Sequence, residues 1–121
     1  MLKLSLTNTY DVKDVPVTVG TYISGEFQKS ICHMDFRIPA GFTRAMLHEQ
    51  TQTDEAEFYK QLIVGWADDV ADENGKPLPC DDKTKAAVLK NEAVVYGIMQ
   101  VLTPILLGVP LAKNSVTGST L

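Results

Sequence analysis

The chain has 121 residues, 45% of them hydrophobic, with a net charge of −4 and a pI near 5.0. That length suits a single domain able to bury a core without metal or disulfide staples. The acidic balance argues against a protein that grips a nucleic-acid backbone, which needs a basic face.

Leu2, Leu4 and Leu6 alternate with Lys3, Ser5 and Thr7, the period of a half-buried strand. This start lacks an unbroken apolar run before a small-residue cleavage site, so it does not read as a signal peptide. Asn8, Asp11 and Asp14 predict a turn. Val15, Val17 and Val19 predict a second strand; because proline donates nothing to a ladder, Pro16 calls for an edge position or for exposure of that side. Gly20 to Gly25 is expected as a loop. From Phe27 to Ile38 the alternation is clean, with Cys32, Met34, Phe36 and Ile38 on one face and Lys29, His33, Asp35 and Arg37 on the other.

After Pro39-Ala40-Gly41, Phe42 to Glu49 predicts a short helix capped by Thr43, with Phe42, Met46 and Leu47 inward. Asp54 and Glu57 have the spacing of a capping box. Phe58, Leu62 and Trp66 at i, i+4 and i+8, with Tyr59 and Ile63 beside them, predict a helix to about Trp66. Asp72-Glu73-Asn74-Gly75 is a tight-turn signal, and Pro77 and Pro79 keep the exit extended. Asp81 or Asp82 is expected to cap a helix to about Leu89, and Asn91 to cap the next. Thr103-Pro104 fits a cap followed by proline at a first helical position, with a last turn stopping at Gly108. Residues 113–121 are polar and read as a flexible tail after a single domain over 1–112. The fold class expected is α+β, with a small N-terminal antiparallel hairpin or meander packed on a C-terminal bundle of about four helices.

Ala93 to Ala112 is a run of 20 uncharged residues, long enough to span a bilayer. Pro104, Gly97, Gly108 and Pro110 interrupt it, and its flanks lack a basic cluster, so it reads as a buried helix and no membrane contact is expected. Val94, Ile98, Val101 and Ile105 form its expected core stripe. Val95, Met99, Leu102 and Leu106 then fall on flanking surface, open to a partner, a second core layer or self-association.

Residues with catalytic or metal-binding chemistry are few. Cys32 and Cys80 match no metal or redox spacing and read as free thiols. His33 and His48 belong to no HExxH or paired-His pattern. Asp68, Asp69, Asp72 and Glu73 lack the alternating oxygen ligands of a calcium loop and read as a solvated link. No nucleophile elbow or phosphate-cradling glycine loop is present. Trp66 ends an apolar stripe, which favours core packing over a binding hot spot.

The order of these parts resembles the tail assembly chaperones of bacteriophages and prophages with siphovirus-like tails. A β-segment ending Met34-Asp35-Phe36-Arg37-Ile38 precedes a short helix, then Glu57-Phe58-Tyr59-Lys60-Gln61-Leu62-Ile63-Val64-Gly65-Trp66. The turn Asp72-Glu73-Asn74-Gly75-Lys76-Pro77-Leu78-Pro79 and an apolar helix follow. The likeness covers about Val15 to Leu107 and is most specific over Leu62 to Pro79. Pro39-Ala40-Gly41, the Leu2-Leu4-Leu6 strand and the polar tail depart from the pattern.

The resemblance implies a non-enzymatic protein of the host bacterial cytoplasm, without cofactor or metal and absent from the finished virion. It would bind the tape measure protein, keep it soluble and help recruit tail tube subunits; a longer frameshifted form is common among such proteins. A helical partner of this kind calls for an apolar contact surface, for which Val95, Met99, Leu102, Leu106 and Trp66 are the candidates. Self-association is a further possibility. A structural tail component or head–tail connector is the alternative reading.

Overall fold

The computed structural model describes residues 1–3, 8–51 and 55–111. Two long strands, β1 (Tyr10–Ile23) and β2 (Glu26–Ile38), form an antiparallel hairpin. Its turn is Ser24-Gly25, both at positive φ (53° and 80°), the combination that matches the natural twist of paired strands. Gly20 to Ile23 are therefore strand, not the expected loop. Gly20 lies beneath the Phe27 ring, where an added Cβ would sit 2.7 Å from Cε1.

The turn expected around Asp11 and Asp14 is also strand, with a bulge. Lys13 and Asp14 together oppose Asp35; Asp14 has φ 57° and its N–H donates to Asp35 Oδ1 at 2.8 Å. Past the bulge the alternation holds. Val15, Val17, Met34, Phe36 and Ile38 are buried, and β1 is an edge strand, as Pro16 allows. Of the proposed Leu2–Leu6 strand, Leu2 and Lys3 are exposed and outside any strand; its remaining residues lie outside those described.

Helix α1 (Arg44–Thr51) starts at Thr43, whose Oγ1 accepts the Met46 N–H at 3.2 Å. Leu47 is buried and Phe42 meets the Phe58 ring at 5.6 Å. Met46 faces water instead of the core, because one short helix can bury only one stripe.

Helix α2 (Glu55–Leu62) stops four residues before the expected end. Ile63–Trp66 is a strand, β3, paired antiparallel with β2 at Met34, Asp35 and Phe36, giving a sheet of order β1-β2-β3. The β-branched Ile63 and Val64 suit a strand, and β2 offers them an unpaired edge. Lys85 Nζ donates to the carbonyls of Lys60 (3.1 Å) and Ile63 (2.9 Å), satisfying acceptors that the end of a helix leaves open. The capping-box partner Asp54 lies outside the described residues.

The Asn-Gly turn forms as read. The Asp72 carboxylate accepts the N–H groups of Asn74 (2.8 Å) and Lys76 (3.0 Å), Gly75 N–H donates to Asp72 O, and Gly75 has φ 82°. Trp66 Nε1 donates to Leu78 O at 2.8 Å, so the indole ties β3 to the segment after that turn.

Helix α3 (Asp82–Val88) is capped by Asp81, whose carboxylate accepts Thr84 N–H at 2.8 Å; helix α4 (Glu92–Leu107) is capped by Asn91. The break expected at Thr103-Pro104 is absent. Pro104 lies inside α4, which runs on to a left-handed Gly108 (φ 68°). A proline disturbs only the bond to the carbonyl four residues back, here that of Gln100, an exposed residue with water access. No helix among the described residues is long and apolar enough to cross a membrane.

Helix α4 lies against β1, and Gly97 makes the crossing possible. A Cβ there would stand 2.4 Å from Thr18 O and 3.1 Å from Val17 Cγ1. This crossing rotates the helix relative to the sequence-based stripe. Val95, Ile98 and Leu102 are buried, whereas Val94, Val101 and Ile105 pack at the margin. Val95 and Leu102 are therefore core, not flanking surface.

Candidate partner-binding groove

Strand alternation gives the hairpin two faces. Val15, Val17 and Met34 face the core; Pro16, Thr18, Gly20, Phe27 and Lys29 face outward. Because α4 crosses β1 closely at Gly97, its outer side and the outward hairpin face enclose a groove of about 840 Å³. Pro16, Thr18, Gly20 and Phe27 line it from the hairpin, Ala93, Tyr96, Gly97, Gln100, Val101 and Pro104 from α4, and Pro110 and Leu111 from the segment after α4. The lining is mostly apolar, with Lys29 and Glu92 supplying its charge. Tyr96 (63% exposed) and Phe27 (53%) stand open to solvent, as do Tyr22, Leu107 and Val109 nearby in sequence. Of these, Tyr96 and Phe27 line the groove itself, so two large exposed apolar side chains share one concavity.

The expected contact residues are distributed differently. Val95 and Leu102 are sealed in the core, Met99 and Leu106 are half-buried, and none of the four lines the groove. Trp66 is half-buried against the core and bonded to Leu78 O. Sequence reasoning missed Tyr96, Gln100 and Phe27. The available signal was Gly97, a mid-helix glycine that has a cost unless a close approach requires it.

A second constellation is polar. His33 Nδ1 lies 2.6 Å from Asp69 Oδ2, and His33 N–H donates to Asp69 Oδ1 at 3.0 Å. His33 O accepts the Ala67 N–H at 2.9 Å. Asp69 thus continues the β3 row past its last residue, serving the strand amide that β3 is too short to reach. The Asp69 hydrogen bond raises the His33 pKa above its ordinary value. Desolvation pushes the Asp69 carboxyl up, but the bonds from the His33 ring and backbone outweigh it and leave a net lowering.

The pair does not act on Cys32. Its sequence neighbour Cys32 points to the opposite face, and burial, aided by the Asp69 charge, pushes that thiol up to about 11, leaving it protonated at neutral pH. Burial likewise raises Cys80. His48 belongs to α1, a different element. No group of three His, Cys, Asp or Glu among the described residues is placed to hold a metal ion.

The protein is thus of the α+β class, a three-stranded antiparallel sheet with four helices among the described residues. No protein-family model, curated protein or solved structure matches the chain.

Proposed function

We propose that the protein is a non-enzymatic tail assembly chaperone of a siphovirus-like phage or prophage. In this reading it binds an apolar helical stretch of the tape measure protein, keeps it soluble and helps bring tail tube subunits to it, in the host cytoplasm. The groove between α4 and the hairpin carries the proposal. From Ala93 to Pro104 its helical wall is about 16 Å long, the length of roughly three helical turns, and its lining suits the apolar stripe of an amphipathic helix. The ordered likeness over Leu62 to Pro79 supports the same reading.

Co-expression with the cognate tape measure protein tests it. The wild-type chain is expected to raise the soluble yield of that partner and co-purify with it, and Tyr96→Asp, at an exposed position, to lose the complex while keeping its own stability. A tape measure protein equally insoluble with and without the chain would overturn the proposal. A structural tail or head–tail connector component is the second reading. Finding the protein in purified finished particles would favour it, since a chaperone departs before completion.

A further inference from the structure

The register of the hairpin shows which backbone groups of β2 point away from β1. Pro16 lies opposite His33, and since proline has no N–H, this pair exchanges no hydrogen bonds across the ladder. His33 turns both its N–H and its carbonyl outward, to Asp69 and Ala67. Alternation then turns the N–H and carbonyl groups of Ile31, Lys29 and Phe27 outward on the same side. β3 pairs with β2 only from Met34 to Phe36, so this stretch of edge has no strand beside it among the described residues.

We propose that the edge from Phe27 to Ile31 receives an extended segment of another polypeptide as an antiparallel strand. That segment would carry Asp or Glu opposite Lys29, with an apolar residue on either side. The proposal does not depend on the chaperone reading.

Charge complementarity selects this occupant. Lys29 makes no ion pair among the described residues, and it stands at the centre of the free edge. Two copies meeting antiparallel there would set Lys29 opposite Lys29, and like charges directly opposite are destabilising. An acidic residue in that place is attracted instead.

The shape beneath the edge selects the flanking residues. On the core side of the sheet, beside Ser30 and Ile31, lies a cavity of about 330 Å³ walled by Cys32, Val70, Leu78 and Val88. The neighbours of the acidic residue point to that side of an added strand and would fill it. Main-chain bonds then supply affinity, while Lys29 and the cavity supply specificity.

The test measures binding of the full-length protein to two labelled peptides, Thr-Leu-Glu-Leu-Thr and Thr-Leu-Lys-Leu-Thr. The Glu peptide is expected to bind about tenfold more tightly, the ratio between a paired and a repelled charge, and Lys29→Glu to reverse the preference. N-methylation of the peptide Glu, whose N–H would bond Lys29 O, is expected to abolish binding, whereas N-methylation of a Leu, pointing outward, is expected to leave it. Equal affinity for the two peptides, binding to neither, or tolerance of the methylated Glu would each overturn the proposal.

Discussion

Asp69 shows how one side chain can extend a sheet. Both its oxygens bond His33, one through the ring and one through the strand N–H, and the two groups shift each other's pKa in opposite directions. The raised imidazole contributes stability that is full below the ordinary His value of about 6.5 and fades as pH rises through the higher folded value. The lowered carboxyl contributes stability that is full above about 3.9 and fades as pH falls through its folded value. Their joint contribution is therefore greatest between about pH 4 and 6.5. Both side chains are more than a third exposed, so the effect is at most about 1 kcal/mol. Urea midpoints at pH 5 and pH 8 are expected to differ more for wild type than for His33→Gln; equal differences would remove the pair's role. Single-residue capping is legible in the sequence at Thr43 and Asn91, and at Asp81 to within one residue, because caps depend on a few neighbouring atoms. The His33–Asp69 pair is not, since its partners are 36 residues apart.

Elements were legible where local pattern and tertiary demand agree. The alternation in β2, the edge position of β1 and the starts of α3 and α4 follow from neighbouring residues alone. The segment Ile63–Trp66 was misread because Phe58, Leu62 and Trp66 satisfy a helical period, while the open edge of β2 and the Lys85 bonds to the Lys60 and Ile63 carbonyls favour a strand. Helix α4 was read from the right start but with a break at Thr103-Pro104 that is absent, and it was turned wrongly, since beyond Glu92 it carries no charge from which to read a polar face. Gly97 decides that orientation through its contact with β1. Gly97→Ala would gain about 1 kcal/mol of helix propensity, yet its Cβ would meet Thr18 O at 2.4 Å, a backbone clash costing about 1–3 kcal/mol or more. The clash is the larger effect on a rigid strand, so the variant is expected to unfold at lower urea than wild type. A higher midpoint would show that α4 does not cross β1 this closely.

At the scale of the molecule the hairpin divides into two regions. Its base, with Val15, Val17, Met34 and Phe36, is locked into the core, while Tyr22, Ile23, Phe27 and Ile31 near its turn are exposed. Amide exchange is expected to be slowest at Val17 and Phe36 and markedly faster from Thr21 to Gln28, because local opening there exposes little further apolar surface; uniform protection would contradict this division. Both proposed contact surfaces use this outer part, the groove on the β1 side and the free edge on the β2 side. The amino-acid sequence by itself determined the α+β class, the alternating core of the hairpin, the caps and the tight turn at Asn74-Gly75, since these depend on periodicity and on residues close in the chain. Only the tertiary structure decided that β3 exists, which face of α4 is buried and where a groove opens. Each depends on which backbone groups and volumes distant segments leave unfilled, and neighbouring residues carry no record of that.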